Sequence, residues 1–393
     1  MSTTVTDPVD RLLDAAQSGK SLIKNRDVLH FTHIPDLILH RDPEQEQLTQ
    51  SLIPILMNSR PSNLLVYGKP GTGKTLVIKK VLSKIQKRVE EGSFPIKLAY
   101  TNAKQETTLY GLLVSFGRQL GLSNQKTNDE KMWLPSTGLS ISEVFNRILY
   151  VISKHETNAV FVIDEIDYLA ELIQKTGKDV LYQITRANER LETGSLTLIG
   201  VSNDLTFKER LDPRVISSLS EEEIVFTNYN LDQIKQILNA RIQIAFSEGI
   251  VEDAALNLCS AMASRESGDA RRAIDLLRVA AEIAERTQNP KINEDHVRQA
   301  SQKIEENKEI VALKSYPLHE KLLILSVMKS SEISTGETYL TYKALCKQTS
   351  QKELTQRRVT QMLSEIEMSG IISGRIVHQG THGNTKKFKI TIS

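Results

Sequence analysis

The chain has 393 residues, 39% hydrophobic and 25% charged, with a formal net charge of +2; that length exceeds one compact core and predicts two or three domains. No apolar run approaches the roughly 20 residues needed to span a bilayer, and Met1–Asp7 lacks a basic-then-apolar leader. The two cysteines, Cys259 and Cys346, have no metal-ligand spacing, so the expectation is a cytoplasmic protein with no membrane partner, disulfide framework or zinc site.

The first strong element is the apolar run Leu64-Leu65-Val66, which reads as a buried strand. It leads into Gly68-Lys69-Pro70-Gly71-Thr72-Gly73-Lys74-Thr75, a complete G-x-x-x-x-G-K-[ST] phosphate loop. Behind the loop, Val77, Ile78, Val81, Leu82 and Ile85 recur at helical spacing. Glycines let such a loop turn tightly and aim successive N–H groups at phosphate oxygens. The helix N-terminus adds partial positive charge. Lys74 is placed for the terminal phosphates and the Thr75 hydroxyl for magnesium, so a nucleoside triphosphate site is predicted.

Further strand-like runs follow at Ile96–Thr101, Ala159–Ile163, Leu196–Val201 and Ile224–Phe226, with helical patterns between them. This alternation predicts an α/β fold on a parallel sheet covered on both faces. Between the second and third runs, Pro135-Ser136-Thr137-Gly138-Leu139-Ser140-Ile141-Ser142-Glu143 reads as a turn followed by a capping box. Ser140 would cap the helix and Glu143 fold back on it. The third run ends in Asp164-Glu165, the form of a Walker B strand. Asp164 would hold magnesium beside Thr75, and Glu165 would polarise an attacking water. Asp167, two residues on, has no evident role. From Asn230 to about Asn307 only helical patterns remain, at Leu231–Leu238, Ala254–Ala263 and Ala270–Glu285.

After Val311 the character changes. Val311–Ser393 holds twelve Lys/Arg against six Asp/Glu, whereas the rest of the chain holds 38 against 42. A basic module on a mildly acidic body is an electrostatic footprint for a polyanion. Val359, Met362, Leu363 and Ile366 form an apolar stripe on a helix from about Leu354 to Ser369, with Gly370 as its stop. Thr355, Gln356, Arg357, Arg358 and Gln361 line the start and exposed edge of that helix. They are residue types that bond phosphates and base edges from a major groove. Ile371–Val377 and Phe388–Ile392 read as a hairpin around a polar tip, His378–Lys386, so the module reads as a winged helix whose wing offers Gln379, His382, Lys386 and Lys387 to DNA.

These motifs together resemble the AAA+ ATPases, which implies ATP/ADP with Mg2+ as cofactors. Leu198-Ile199-Gly200-Val201-Ser202-Asn203 is similar to that family's sensor 1 strand, with Asn203 orienting the hydrolytic water. Arg271, in Gly268-Asp269-Ala270-Arg271-Arg272-Ala273, is similar to sensor 2, which reaches the γ-phosphate from the lid. Arg214, in Leu211-Asp212-Pro213-Arg214-Val215, resembles the arginine finger that acts on a neighbouring subunit, with Arg210 as its competitor. Within that class the chain resembles the archaeal origin-recognition and cell-division-control initiators. Ile34–Glu44 is similar to their adenine-wrapping segment, with His40 and Arg41 in it. The turn at Pro135, Thr137, Gly138 and Ser140 is similar to their DNA-touching insertion. Their wings commonly carry arginines where histidines and lysines stand here.

The resemblance implies an N-terminal tail (1–26), an AAA+ parallel-sheet base (27–229), an α-helical lid (230–310) and a C-terminal winged helix (311–393). It further implies an ATP-regulated, nucleoid-associated initiator that recognises double-stranded origin DNA and helps recruit the replicative helicase, with paralogous initiators on adjacent sites. Hydrolysis would be weak and serve as a switch. An ATP-responsive transcription regulator using the same winged helix is the alternative.

Overall fold

The computed structural model describes residues 21–391 except Ser93, Thr107, Lys178, Ser220, Ser267 and 379–383. They form two compact units that divide between Val297 and Arg298. The first is built on β1 (Asn63–Gly68), β2 (Ile96–Asn102), β3 (Asn158–Asp164), β4 (Ser195–Ser202) and β5 (Glu221–Phe226). Their spatial order is β2-β3-β4-β1-β5, and every pairing is parallel. Each strand predicted before residue 230 lies inside one of these five.

β1, β3 and β4 are buried along their whole length, because helices cover both faces. On one face, Leu65, Phe161 and Ile163 pack with apolar residues of α3 (Leu109–Gln119) and α4 (Ile141–Lys154). On the other, Leu64, Val160 and Val162 pack with those of α1 (Asp42–Leu56) and α2 (Lys74–Gly92). The helical turns α5 (Ile166–Thr176), α6 (Val180–Thr185) and α7 (Pro213–Leu219) complete the first layer. Burial of this kind contributes about 25 cal/mol per Å2 of apolar surface, and it fixes where each strand ends.

α8 (Leu231–Ala245), α9 (Asp253–Glu266) and α10 (Ala270–Arg286) form the helical part that follows the sheet. α8 opens on a reciprocal capping box between Asn230 and Gln233. Its buried Arg241 donates to Val28 O at 2.9 Å and His33 O at 3.2 Å, holding the segment before α1. α11 (Glu294–Ser315) contains the division between the units.

The second unit has α12 (Leu318–Met328), β6 (Ile333–Ser334), α13 (Thr335–Gln348), α14 (Gln356–Met368), β7 (Ile372–His378) and β8 (Asn384–Ile390). The strands form an antiparallel sheet in the order β6-β8-β7. Leu323, Tyr342, Val359, Leu363 and Phe388 are at its core. α14 stops at Ser369, and Gly370 follows at φ 82°, as a left-handed stop requires. Two features differ from the sequence reading. β6 is a third strand too short for an apolar pattern to register. β8 begins at Asn384, so Lys386, read as the end of the wing's tip, is a strand residue.

The aromatic stack of Phe116 on Phe161, with centroids 4.1 Å apart and planes 10° apart, lies under the centre of the sheet. Phe161→Ala is expected to destabilise the first unit by about 3–5 kcal/mol, read as a lower urea midpoint at unchanged slope.

Candidate functional site

Three adjacent strands end side by side, and their carboxyl ends bring the predicted nucleotide residues together. The phosphate loop leaves β1 at Gly68, Asp164 ends β3, and Asn203 follows β4. Lys74 is buried. Its Nζ donates to Gly68 O at 2.6 Å, Lys69 O at 2.9 Å and Asn203 Oδ1 at 2.9 Å. Burial first, and then the Arg271 guanidinium, pull its pKa down to about 8. Thr75 Oγ1 donates to Asp164 Oδ2 at 2.9 Å, and Tyr100 Oη donates to the same oxygen at 2.5 Å. Burial and that bond hold the Tyr100 phenol well above its usual pKa. Tyr100 sits at the end of β2 with no sequence signal, so only the fold reveals it.

Glu165 stands at φ 53° between β3 and α5, and its N–H donates to Asp164 Oδ1 at 3.0 Å. That left-handed turn separates the two carboxylates of the Walker B pair. Asp167 acquires a role here. Its Oδ1 accepts from Ser202 Oγ at 2.9 Å and Asn203 N at 3.4 Å, which locks the end of β4 that carries Asn203. The signal was the third carboxylate of the run Asp164-Glu165-Ile166-Asp167.

The loop is a cradle that side chains would fill. Lys69 and Pro70 are exposed and Thr72 is buried. At Gly71, φ is 75° and an added Cβ would lie 1.7 Å from Asp269 Oδ1. At Gly73, φ is 93° and an added Cβ would lie 2.9 Å from Tyr229 Oη. Asp269 caps α10 by accepting from Arg271 N at 2.7 Å and Arg272 N at 3.2 Å, and Ala270 N donates to Gly71 O at 3.3 Å. The lid helix therefore begins against the phosphate loop. Arg271 is exposed, and its charge acts on both Lys74 and Tyr100. This donor set suits a nucleotide's phosphates.

The two residues expected of the N-terminal segment are placed differently. Arg41 was expected to contact the cofactor, but its nitrogens bond Thr72 O, Thr227 O and Glu44. The cation is spent on the protein because its burial forces it to find carbonyl and carboxylate partners. His40 stands at φ 59° with its Nε2 buried and without a hydrogen-bond partner. Arg214 lies exposed at the start of α7, gripped by Asp212 through Nε at 3.0 Å and Nη2 at 2.8 Å. Arg210 bonds Asp204 Oδ2 at 2.5 Å.

The insertion turn is partly built as predicted. Ser140 caps α4, accepting from Glu143 N at 3.1 Å. Glu143 does not return the bond; its carboxylate accepts from Arg147 Nε at 2.9 Å. A charge-assisted bond one turn along outcompetes a neutral backbone N–H. Arg147 also donates to Glu130 O at 3.0 Å and to Trp133 O, tying the preceding segment to α4. Pro135 O accepts from Tyr110 Oη at 3.0 Å, while Thr137 and Gly138 are exposed. Gly138 stands at φ 100° with open space around it.

In the second unit, Thr355 caps α14, and Gln356, Arg357 and Arg358 are all exposed on its first turn. Arg358 approaches Glu365 at 3.6 Å. Lys386 shares a strand face with Phe388 and pairs with Glu367 of α14, and Lys387 approaches Glu332 at 3.8 Å. Both lysines were expected to be free for DNA, Lys386 at the end of the wing's tip; Lys386 is instead turned inward by the alternation of β8. Gln379 and His382 lie outside the described residues.

Residues 57–207 match an AAA domain family, 235–302 the Cdc6 AAA+ ATPase-type lid domain, and 311–393 the CDC6 C-terminal winged helix domain. An ORC1-type DNA replication protein of Cenarchaeum symbiosum is 67% identical over 389 residues, 99% of this chain and 93% of that one. One of the same description from Thermococcus onnurineus is 39% identical over 390 residues, 98% and 92% of the two chains. The structure of the Aeropyrum pernix ORC1 protein in complex with DNA is 38% identical and superposes with a TM-score of 0.80, covering 95% of each chain.

Gly73→Ala tests the cradle without any ligand. The new Cβ meets the Tyr229 hydroxyl at a backbone conformation that side chains rarely adopt, so a loss of about 1–3 kcal/mol is expected in thermal unfolding.

Proposed function

This chain belongs to the ORC1-type DNA replication proteins and is a replication initiator; on that premise we propose that ATP bound at the phosphate loop governs its hold on origin DNA. One observation carries the reading. Lys74 meets Asn203, and Thr75 meets Asp164, at the ends of three neighbouring strands, within reach of the charge of Arg271 from the lid.

In this reading, Gly68–Thr75 wraps the phosphates of ATP or ADP with backbone N–H groups, and Lys74 neutralises the terminal ones. Thr75 and Asp164 are the ligands for magnesium, whose contribution is to offset phosphate charge when bound. Tyr100 and Thr75 hold Asp164 in place for it. Glu165 orients and polarises water, Asn203 positions that water under the control of Asp167, and Arg271 contacts the γ-phosphate. His40 closes the base side of the pocket with its unpartnered Nε2. Arg214 acts on a neighbouring copy once an anion displaces Asp212, which makes hydrolysis by an isolated chain slow and suits a switch.

DNA is met by two surfaces, one in each unit. Gln356, Arg357 and Arg358 project from the first turn of α14, where a recognition helix presents base-reading and phosphate-binding groups. The exposed turn at Thr137 and Gly138 supplies a backbone approach without side-chain bulk. The replicative helicase and paralogous initiators on adjacent sites are the proposed protein partners.

Footprinting of the chain on double-stranded chromosomal DNA, with ATP and with ADP, tests the proposal. Discrete protected clusters that differ between the two nucleotides are expected; an even distribution over all sequences would sink it. Arg357→Ala is expected to weaken binding at those sites by about 1–3 kcal/mol. The loss falls on specific sites if Arg357 reads a base and on all sequences if it holds phosphate.

Nucleotide affinity should also fall with alkaline pH. Free Lys74 titrates near pH 8, and bound phosphate favours its charged form and raises that value. Binding above pH 8 therefore takes up a proton, and affinity measured in EDTA drops by up to about tenfold per pH unit. A flat profile from pH 7 to 9.5 would show that Lys74 stays charged in the free chain over that range.

A further inference from the structure

Arg41 stands where three chain segments meet. It precedes α1, yet it is 3% exposed and every guanidinium nitrogen is engaged by the protein. Nε–H donates to Thr72 O at 2.9 Å, inside the phosphate loop. Nη2–H donates to Thr227 O at 2.6 Å, in the link between β5 and α8. Nη1 pairs with Glu44 Oε1 at 2.7 Å. The Tyr229 ring lies over the flat face of the cation, its centroid 4.0 Å away.

Tyr229 continues the chain of contacts. Its hydroxyl packs against Gly73, and its N–H donates to Gly268 O at 3.3 Å. Gly268 adjoins Asp269, which caps the helix that carries Arg271. An unbroken path thus runs from the phosphate loop through Arg41 and the link between β5 and α8 to the helix that carries Arg271.

We infer that Arg41 is a positioning residue that couples the conformation of the phosphate loop to the orientation of the lid, without touching the nucleotide itself. The inference rests on the nucleotide reading above and deepens it. A planar fork holds two carbonyls from different segments in fixed directions, which a lysine ammonium does not reproduce. Burial removes water as a substitute partner, so a shift of Thr72 O strands a donor unless Thr227 and Tyr229 follow. Glu44 offsets the buried charge and so keeps the guanidinium inside the protein, bonded to both carbonyls.

A thermodynamic cycle tests this on the full chain. Affinities for a non-hydrolysable fluorescent ATP analogue with magnesium are measured for the wild type, Arg41→Lys, Arg271→Ala and the double variant. Amide exchange at Thr227–Leu231 is followed in parallel. The expected result is that Arg271→Ala costs about tenfold or more in the wild-type background and less than about twofold beside Arg41→Lys, because coupled residues are not additive. ATP should slow exchange in the link for the wild type and leave it unchanged in Arg41→Lys. Equal factors in both backgrounds, or equal protection of the link, overturn the inference. If Arg41→Lys does not fold, Tyr229→Leu takes its place in the cycle with the same criteria. If the wild type binds no ATP, or Arg271→Ala costs nothing there, the nucleotide reading falls and the coupling with it; if both hold and the factors multiply, only the coupling falls.

Discussion

A buried ammonium group organises the first unit. Lys74 is removed from water by the close packing of its own helix and loop, and a charge so placed must find partners. It finds two carbonyls of the phosphate loop and the amide oxygen of Asn203. The loop is thereby held curled and the end of β4 drawn to it, and Asp167 reinforces that end from α5. Phosphate oxygens would be better partners for the ammonium than carbonyls, so the arrangement is one that a nucleotide can take over without rebuilding the strands around it.

The same logic of buried charge explains the departures from sequence expectation. Arg41 and Arg147 are both buried, and each collects backbone carbonyls from distant segments. A sequence identifies an arginine and its neighbours, and from those alone an exposed, ligand-facing role is the natural reading for Arg41. Burial reverses it. Likewise Glu143 stands at the right spacing for a capping box, and Arg147 one turn later takes its carboxylate. Where no competing cation follows, at Asn230 with Gln233 and at Ser334 with Glu337, the reciprocal box forms in full.

In the second unit, the stripe Val359, Met362, Leu363 and Ile366 located the helix, and its buried face left Gln356, Arg357 and Arg358 to solvent. The wing was less legible. A run of small and polar residues such as Asn384-Thr385-Lys386-Lys387 carries no apolar alternation, yet pairing with β7 makes it a strand. Lys386 then falls on the inner side, against Glu367. Which of several lysines is free for a phosphate is a question of strand parity and of acidic neighbours, and neither is visible locally.

By itself the sequence determined the alternation of strands and helices in the first unit, the phosphate loop, the acidic end of β3 and the helix that carries Gln356 and Arg357. Each of these is written in residues close together in the chain, through periodicity, glycine spacing or a cap. Tertiary structure alone decided which residues share the pocket: that Asn203 meets Lys74, that Tyr100 holds Asp164, that Asp269 begins the lid against Gly71, and that Arg41 bonds the link between β5 and α8. Those contacts join segments separated by 31 to 198 residues, and they follow from the order in which parallel strands lie side by side, which no local pattern contains.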